Sequence, residues 1–115
     1  MEKNATKQNL KAEFKTRKKL GGFFVIRNLE TGRLLPGVTT DLRRSQNRFE
    51  FAQSTGSCVD LKLQKDWGTS GGKAFAFEVL EELAQGESQT DSDFDKDIKL
   101  LREMWLEKLS DKDLY

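Results

Sequence analysis

The chain has 115 residues, a charged fraction of 34% and a mean hydropathy of −0.70, which bounds it to one domain with a modest core and a well-solvated surface. No apolar run approaches a membrane span and no signal-peptide stretch opens the sequence, so a membrane partner is not expected. With no histidine and the single cysteine Cys58, an internal disulfide, a single-chain zinc site, a Cys-His pair and a Ser-His-Asp triad are all excluded, and a reducing, cytoplasmic interior is expected.

A net charge of +1 conceals a polarity: residues 1–73 carry 15 Lys/Arg against 7 Asp/Glu, and residues 74–115 carry 5 against 12. A basic front half suits a phosphate-contacting surface for DNA or RNA. Opposite-signed halves equally suit neutralisation within the chain or self-association between copies.

In chain order, residues 4–19 are Lys-rich with Leu10 and Phe14 at helical spacing, which predicts a basic N-terminal helix ending at Gly21-Gly22. Its lysines, Lys15, Lys18 and Lys19 with Lys11 and Arg17, form the densest basic cluster and are candidate nucleic-acid contacts. Two apolar runs, roughly 22–28 and 33–38, flank Glu30-Thr31-Gly32 and predict a β-hairpin. Pro36 has no N–H, which places it at an edge or a bulge. Thr39-Thr40-Asp41 offers caps for a helix through Leu42, Ser45, Phe49 and Ala52, with Arg43, Arg44 and Arg48 exposed as candidate phosphate contacts. Ser54-Thr55-Gly56-Ser57 reads as a loop, and Cys58 beside it, with no neighbouring base, is expected to be inert.

A helix is expected from Asp60 to about Trp67, stopped by Gly68 and Gly71-Gly72. The aromatic-rich run Ala74 to Leu80 predicts a central strand. Residues 86–95 read as an acidic loop, and from about Asp93 the series Phe94, Ile98, Leu101, Trp105, Leu106, Leu109 recurs at helical spacing. The acidic residues Asp91, Asp93, Asp95 and Asp97 lack EF-hand spacing and suit a helix N-terminus instead. These elements make an α+β domain: a small, mainly antiparallel three-stranded sheet flanked by helices, with an extra N-terminal helix. The expected layout is residues 1–20 as basic helix, 21–110 as the domain and 111–115 as a C-terminal tail.

Three motifs then fall in order. Gly22-Phe23-Phe24-Val25-Ile26-Arg27-Asn28, with Leu35-Pro36-Gly37 after it, resembles the hairpin of the GIY-YIG nuclease family. Leu63-Gln64-Lys65-Asp66-Trp67, Gly71 and Phe75-Ala76-Phe77-Glu78-Val79-Leu80-Glu81 resemble the family's central block. Glu103-Met104-Trp105-Leu106-Glu107-Lys108-Leu109 resembles its last helix. The resemblance covers Gly22 to Leu109 and implies one-metal phosphodiester hydrolysis. In that chemistry a helix glutamate holds the metal, an arginine stabilises the phosphoryl charge and tyrosine hydroxyls handle the water.

Most of the groups this chemistry needs are substituted. The tyrosine positions hold Phe24 and Leu35, the arginine position holds Ser45 with Arg44 one residue earlier, and a histidine position holds Phe49. An ungapped alignment on Trp105 places Arg102 at the metal-ligand position, whereas a one-residue shift makes Glu103 the ligand. The expected function is a GIY-YIG nuclease-like domain with a degenerate site that binds nucleic acid without cleaving it. The rivals are an active endonuclease using Glu103, Arg44 or Arg48 with Mg or Mn, and a protein-interaction or regulatory module on the same scaffold. No cofactor is expected unless cleavage persists.

Overall fold

A computed structural model describes residues 19–115; the expected N-terminal helix, with Lys15 and Lys18, falls outside them. The elements are β1 (Leu20–Asn28), β2 (Leu34–Thr39), α1 (Leu42–Thr55), a 3-10 turn (Leu61–Leu63), α2 (Gln64–Ser70), a second turn (Gly72–Ala74), β3 (Phe75–Ala84) and α3 (Asp91–Lys108). All three strands are antiparallel in the order β2-β1-β3. The α+β class and the three-stranded sheet agree with the sequence reading.

β1 is the central strand, and β3 lies at an edge. The aromatic run in β3 predicts a central strand, but four residues of its second half (Val79, Glu81, Glu82, Ala84) are exposed and the strand lies at the edge. β1 is apolar at successive positions because both of its faces are covered. Phe23 and Val25 point to one side, where they join Leu34, Leu101 and Leu109 under α3. Ile26 points to the other and joins Leu35, Phe49, Ala52, Leu63, Trp67 and Phe75 under α1 and α2. On the α3 side Phe23 stacks on Trp105 at 5.4 Å, and the Trp105 Nε1 donates to Glu81 at 2.7 Å.

Gly21 and Gly22 lie inside β1 rather than ending a helix. A Cβ on Gly22 would stand 2.1 Å from the Glu81 carbonyl oxygen, so the strands approach closely there and only glycine fits. The register between β1 and β3 shifts at Phe23/Phe24 next to this contact, leaving Leu80 between Val79 and Glu81 as the extra residue of a bulge.

Local chemistry explains the other element boundaries. Asp41 caps α1 by accepting from the Arg44 N–H at 3.0 Å, and the helix runs through Thr55 before Gly56 stops it, further than the composition suggested. Asp60 accepts from the Lys62 N–H at 2.8 Å, which starts a tight 3-10 turn in place of the expected helix; α2 then begins at Gln64 and passes through Gly68. Thr90 caps α3 through the Asp93 N–H at 3.1 Å. The acidic loop is therefore shorter than expected, and Asp91 and Asp93 sit in the first helical turn, where carboxylates favour the dipole.

The C-terminal residues are held in place. Leu34 donates its N–H to Asp113 at 3.0 Å and accepts from the Tyr115 N–H at 2.9 Å, a short parallel bridge to β2. Pro36, two residues on and at this edge of the sheet, has no N–H to continue it. Asn28, 1% exposed, accepts from the Glu30 and Thr31 N–H groups at 2.9 and 3.2 Å and so shapes the hairpin turn. It donates to the Tyr115 hydroxyl at 2.9 Å, which in turn donates to Asp66 at 2.5 Å. One buried amide thus joins the hairpin, α2 and the tail.

Gly22→Ala is expected to destabilise the fold by about 3 kcal/mol, because backbone has to move. Urea unfolding checks this through a lower midpoint at unchanged slope.

Burial, and then the bond to Asp66, hold the Tyr115 hydroxyl above the ordinary tyrosine value. Its contribution to stability is therefore complete below the unfolded-state value near pH 10 and is lost as pH rises through the raised folded value. Tyr115→Phe is expected to remove this part of the alkaline loss. Thermal melts of the two proteins between pH 8 and about pH 11 measure the difference.

Candidate functional site

A cleft of about 250 Å³ opens where the hairpin, α1, the Val59–Lys62 segment and β3 meet. Its floor follows from strand alternation: Phe24 and Ile26 of β1, Leu35 of β2 and Phe77 of β3 share the α1 side of the sheet. Phe24 stacks on Phe77 with ring centres 4.6 Å apart, and Phe49 leans against Phe77 at 5.8 Å. Pro36, Gly37 and Val59 line it too, as does Val38, whose side chain packs with the core under α3.

Four polar side chains join them. Ser45 and Arg48 come from α1, three residues apart on one helical face, and Asp60 and Lys62 come from the 3-10 turn and its cap. Ser45 donates its hydroxyl to Thr39 Oγ1 at 2.9 Å, and Thr39 Oγ1 accepts the Asp41 N–H at 3.0 Å. Ser45 therefore helps close the junction of β2 and α1, and its oxygen keeps its capacity to accept.

The expected site residues separate clearly. Phe24, Leu35, Ser45 and Phe49 converge on the cleft, and Arg48 joins them. Arg43 and Arg44 are exposed on α1 but outside the cleft lining. Arg102 and Glu103 are exposed on α3, which packs on the opposite face of the sheet, and neither lines the cleft. Lys19 lies 3.5 Å from Asp91; the Gln85 amide, and after it the charge of Lys19, hold that carboxylate below its ordinary value.

Asp60, Lys62 and Val59 were not singled out from sequence. They lie in a non-periodic segment, and the only local signal was an Asp ahead of a short apolar run. The Ser45-to-Arg48 spacing could have identified Arg48 as the arginine nearest the site.

The donor set does not fit a divalent metal in the cleft. Asp60 is the sole carboxylate in the lining and already accepts a backbone N–H. Among the described residues no three His, Cys, Asp or Glu side chains cluster as metal ligands.

Charge is distributed unevenly. Among the described residues three of the four ion pairs, Lys19–Asp91, Arg27–Glu78 and Arg33–Asp113, join the basic front to the acidic back, and the fourth lies within α3. The two halves thus neutralise each other in part. Arg43, Arg44, Arg48 and Lys62 have no ion-pair partner among the described residues, so the cleft and its helix keep a cationic rim.

With this geometry in view, comparison with solved structures assigns the fold. The chain superposes on a point mutant of the catalytic domain of intron endonuclease I-TevI with a TM-score of 0.61 and 21% identity, covering 84% of this chain and 91% of that one. It also superposes on the catalytic domain of homing endonuclease I-TevI with a TM-score of 0.58 and 22% identity, covering 83% and 95%. The fold is that of the GIY-YIG nuclease domain. No protein-family model matches the chain, and neither does any curated protein.

Gly37 shows how the cleft is built. A Cβ there would lie 2.8 Å from the tip of the Phe24 ring, so the glycine is needed to seat that ring. Gly37→Ala is expected to cost about 1–3 kcal/mol by displacing it. In Phe24→Leu, whose side chain ends short of that point, the same change is expected to cost less. A double-mutant cycle of denaturation free energies measures this coupling.

Proposed function

We propose that this chain is a divergent member of the GIY-YIG nuclease family that has lost phosphodiester cleavage and binds nucleic acid, DNA or RNA, through the cationic rim of its cleft. One observation carries the reading. Phe24, Leu35 and Ser45 meet in a single cleft bordered by Arg48 and Lys62. The resemblance places two tyrosines and an arginine at the first three positions. Phe24 keeps a ring but has no hydroxyl to position or deprotonate water, Leu35 has neither, and the Ser45 hydroxyl carries no charge to offset a developing oxyanion. What remains is the electrostatic part: Arg43, Arg44 and Arg48 on one helix and Lys62 beside it, placed to contact phosphates without reading bases.

Glu103 does not complete the site in this reading, since it stands on the far side of the sheet from the cleft. The domain is a binder without a metal, and the single cysteine suits the reducing compartment in which nucleic acid is found.

Fluorescence anisotropy with a labelled oligonucleotide tests the binding claim. Affinity is expected to fall steeply from 50 to 200 mM salt as counterion release loses its driving force. The Arg43→Ala/Arg44→Ala/Arg48→Ala variant is expected to bind more weakly, with the slope of log K against log salt shallower by about 0.9 for each phosphate contact removed. A salt-insensitive affinity, or no binding at low salt, contradicts the proposal.

A further inference from the structure

Resting on the nucleic-acid reading above, we infer that the cleft receives one unpaired nucleobase, swung out of the helical stack, while the flanking phosphates stay outside on Arg48 and Lys62. The walls set the first constraint. On the floor, Phe24, Ile26, Leu35, Phe49 and Phe77 offer no side-chain donor to an ionised oxygen. A phosphate pressed against this floor would give up water for no donor there, and is better held at the exposed Arg48 and Lys62 of the same lining. A base has apolar faces and gains from the same walls, since stacking or packing a base against aromatic rings contributes about 1–3 kcal/mol.

Size gives the second constraint. A cleft of about 250 Å³ is smaller than the roughly 300–1,000 Å³ of pockets for drug-sized ligands. It matches one ring system better than a base pair. Charge gives the third. Arg48 and Lys62 border the cleft from two separate elements, neither is ion-paired among the described residues, and Arg43 and Arg44 extend the positive surface along α1. An anionic chain can therefore cross the mouth while one base turns inward.

The polar groups then select among bases. Ser45 spends its hydroxyl proton on Thr39, and Asp60 spends one carboxylate oxygen on the Lys62 N–H. Both line the cleft with acceptor capacity left over. Acceptors favour bases with an exocyclic amino group, which cytosine, adenine and guanine have and thymine and uracil lack. The cleft takes an extruded amino-bearing base, and intact duplex is the poorer ligand.

The test compares three labelled duplexes of one sequence: fully paired, with a single unpaired cytosine bulge, and with an abasic residue in the bulge. Binding is measured by anisotropy at one salt concentration, with a Trp-containing acidic peptide as a fourth probe. The bulged duplex is expected to bind at least about tenfold tighter than the paired one, a difference of about 1.4 kcal/mol, and the abasic bulge to lose that gain. Val59→Trp, which fills the cleft from a loop, is expected to bring the bulged-to-paired ratio close to one. Asp60→Asn keeps a capping oxygen and adds a donor, and it is expected to shift preference toward a thymine bulge.

Equal binding of bulged and paired duplexes overturns the base-pocket inference and leaves the nucleic-acid reading standing. Full affinity for the abasic bulge does the same, because flexibility alone then explains the preference. Binding of no nucleic acid overturns both, and capture of the peptide in that case assigns the cleft to a protein side chain.

Discussion

Burial of β1 on both faces is the constraint on which the rest of the structure depends. Phe23 and Val25 face α3, Phe24 and Ile26 face α1 and the cleft, and Gly22 lets the neighbouring strand approach closely enough for both layers to close. A strand of this kind cannot slip by one residue without exchanging its two apolar sets. That register fixes which side chains reach the cleft. It also places α3, with Glu103, behind the sheet.

Stability and chemistry are separable here because the groups a nuclease needs and the groups this fold needs are different atoms of the same positions. Phe24 keeps its ring, and the ring is what packs on Phe77 and over Gly37. Leu35 keeps an apolar side chain in the core formed by α1 and α2. Ser45 keeps a hydroxyl that joins β2 to α1 through Thr39. The packing of the scaffold needs none of the hydroxyls or the cation that the resemblance would put at these positions, whereas a water-activating site would need them all. The cleft that results has rings and aliphatic side chains on its floor, with Ser45, Arg48, Asp60 and Lys62 around them.

Much of the fold was legible in the sequence because it rests on local signals. The hairpin, the Asp41 cap, the helical stripe from Phe94 to Leu109 and the edge position of Pro36 all follow from residues close together in the chain. The errors came where the deciding partner is remote. The aromatic run in β3 looked central because density of rings does not tell an edge from a centre. Gly21-Gly22 looked like a helix stop because the Glu81 carbonyl that excludes a side chain lies in another strand. The Asn28–Tyr115–Asp66 network joins residues up to 87 positions apart. For the site, the substituted positions were legible from motif spacing, but Asp60 and Lys62 were not, since they belong to a capped turn whose packing against the hairpin leaves no periodic trace.

The central claim is that this fold retains a nucleic-acid cleft from which cleavage chemistry is gone. Incubating the purified protein with supercoiled plasmid in Mg²⁺ or Mn²⁺, and reading topology and gel retardation from the same reaction, tests it most directly. The account predicts plasmid that is retarded at low salt and stays supercoiled after the protein is stripped. Nicked or linear product that disappears in Glu103→Ala would contradict it.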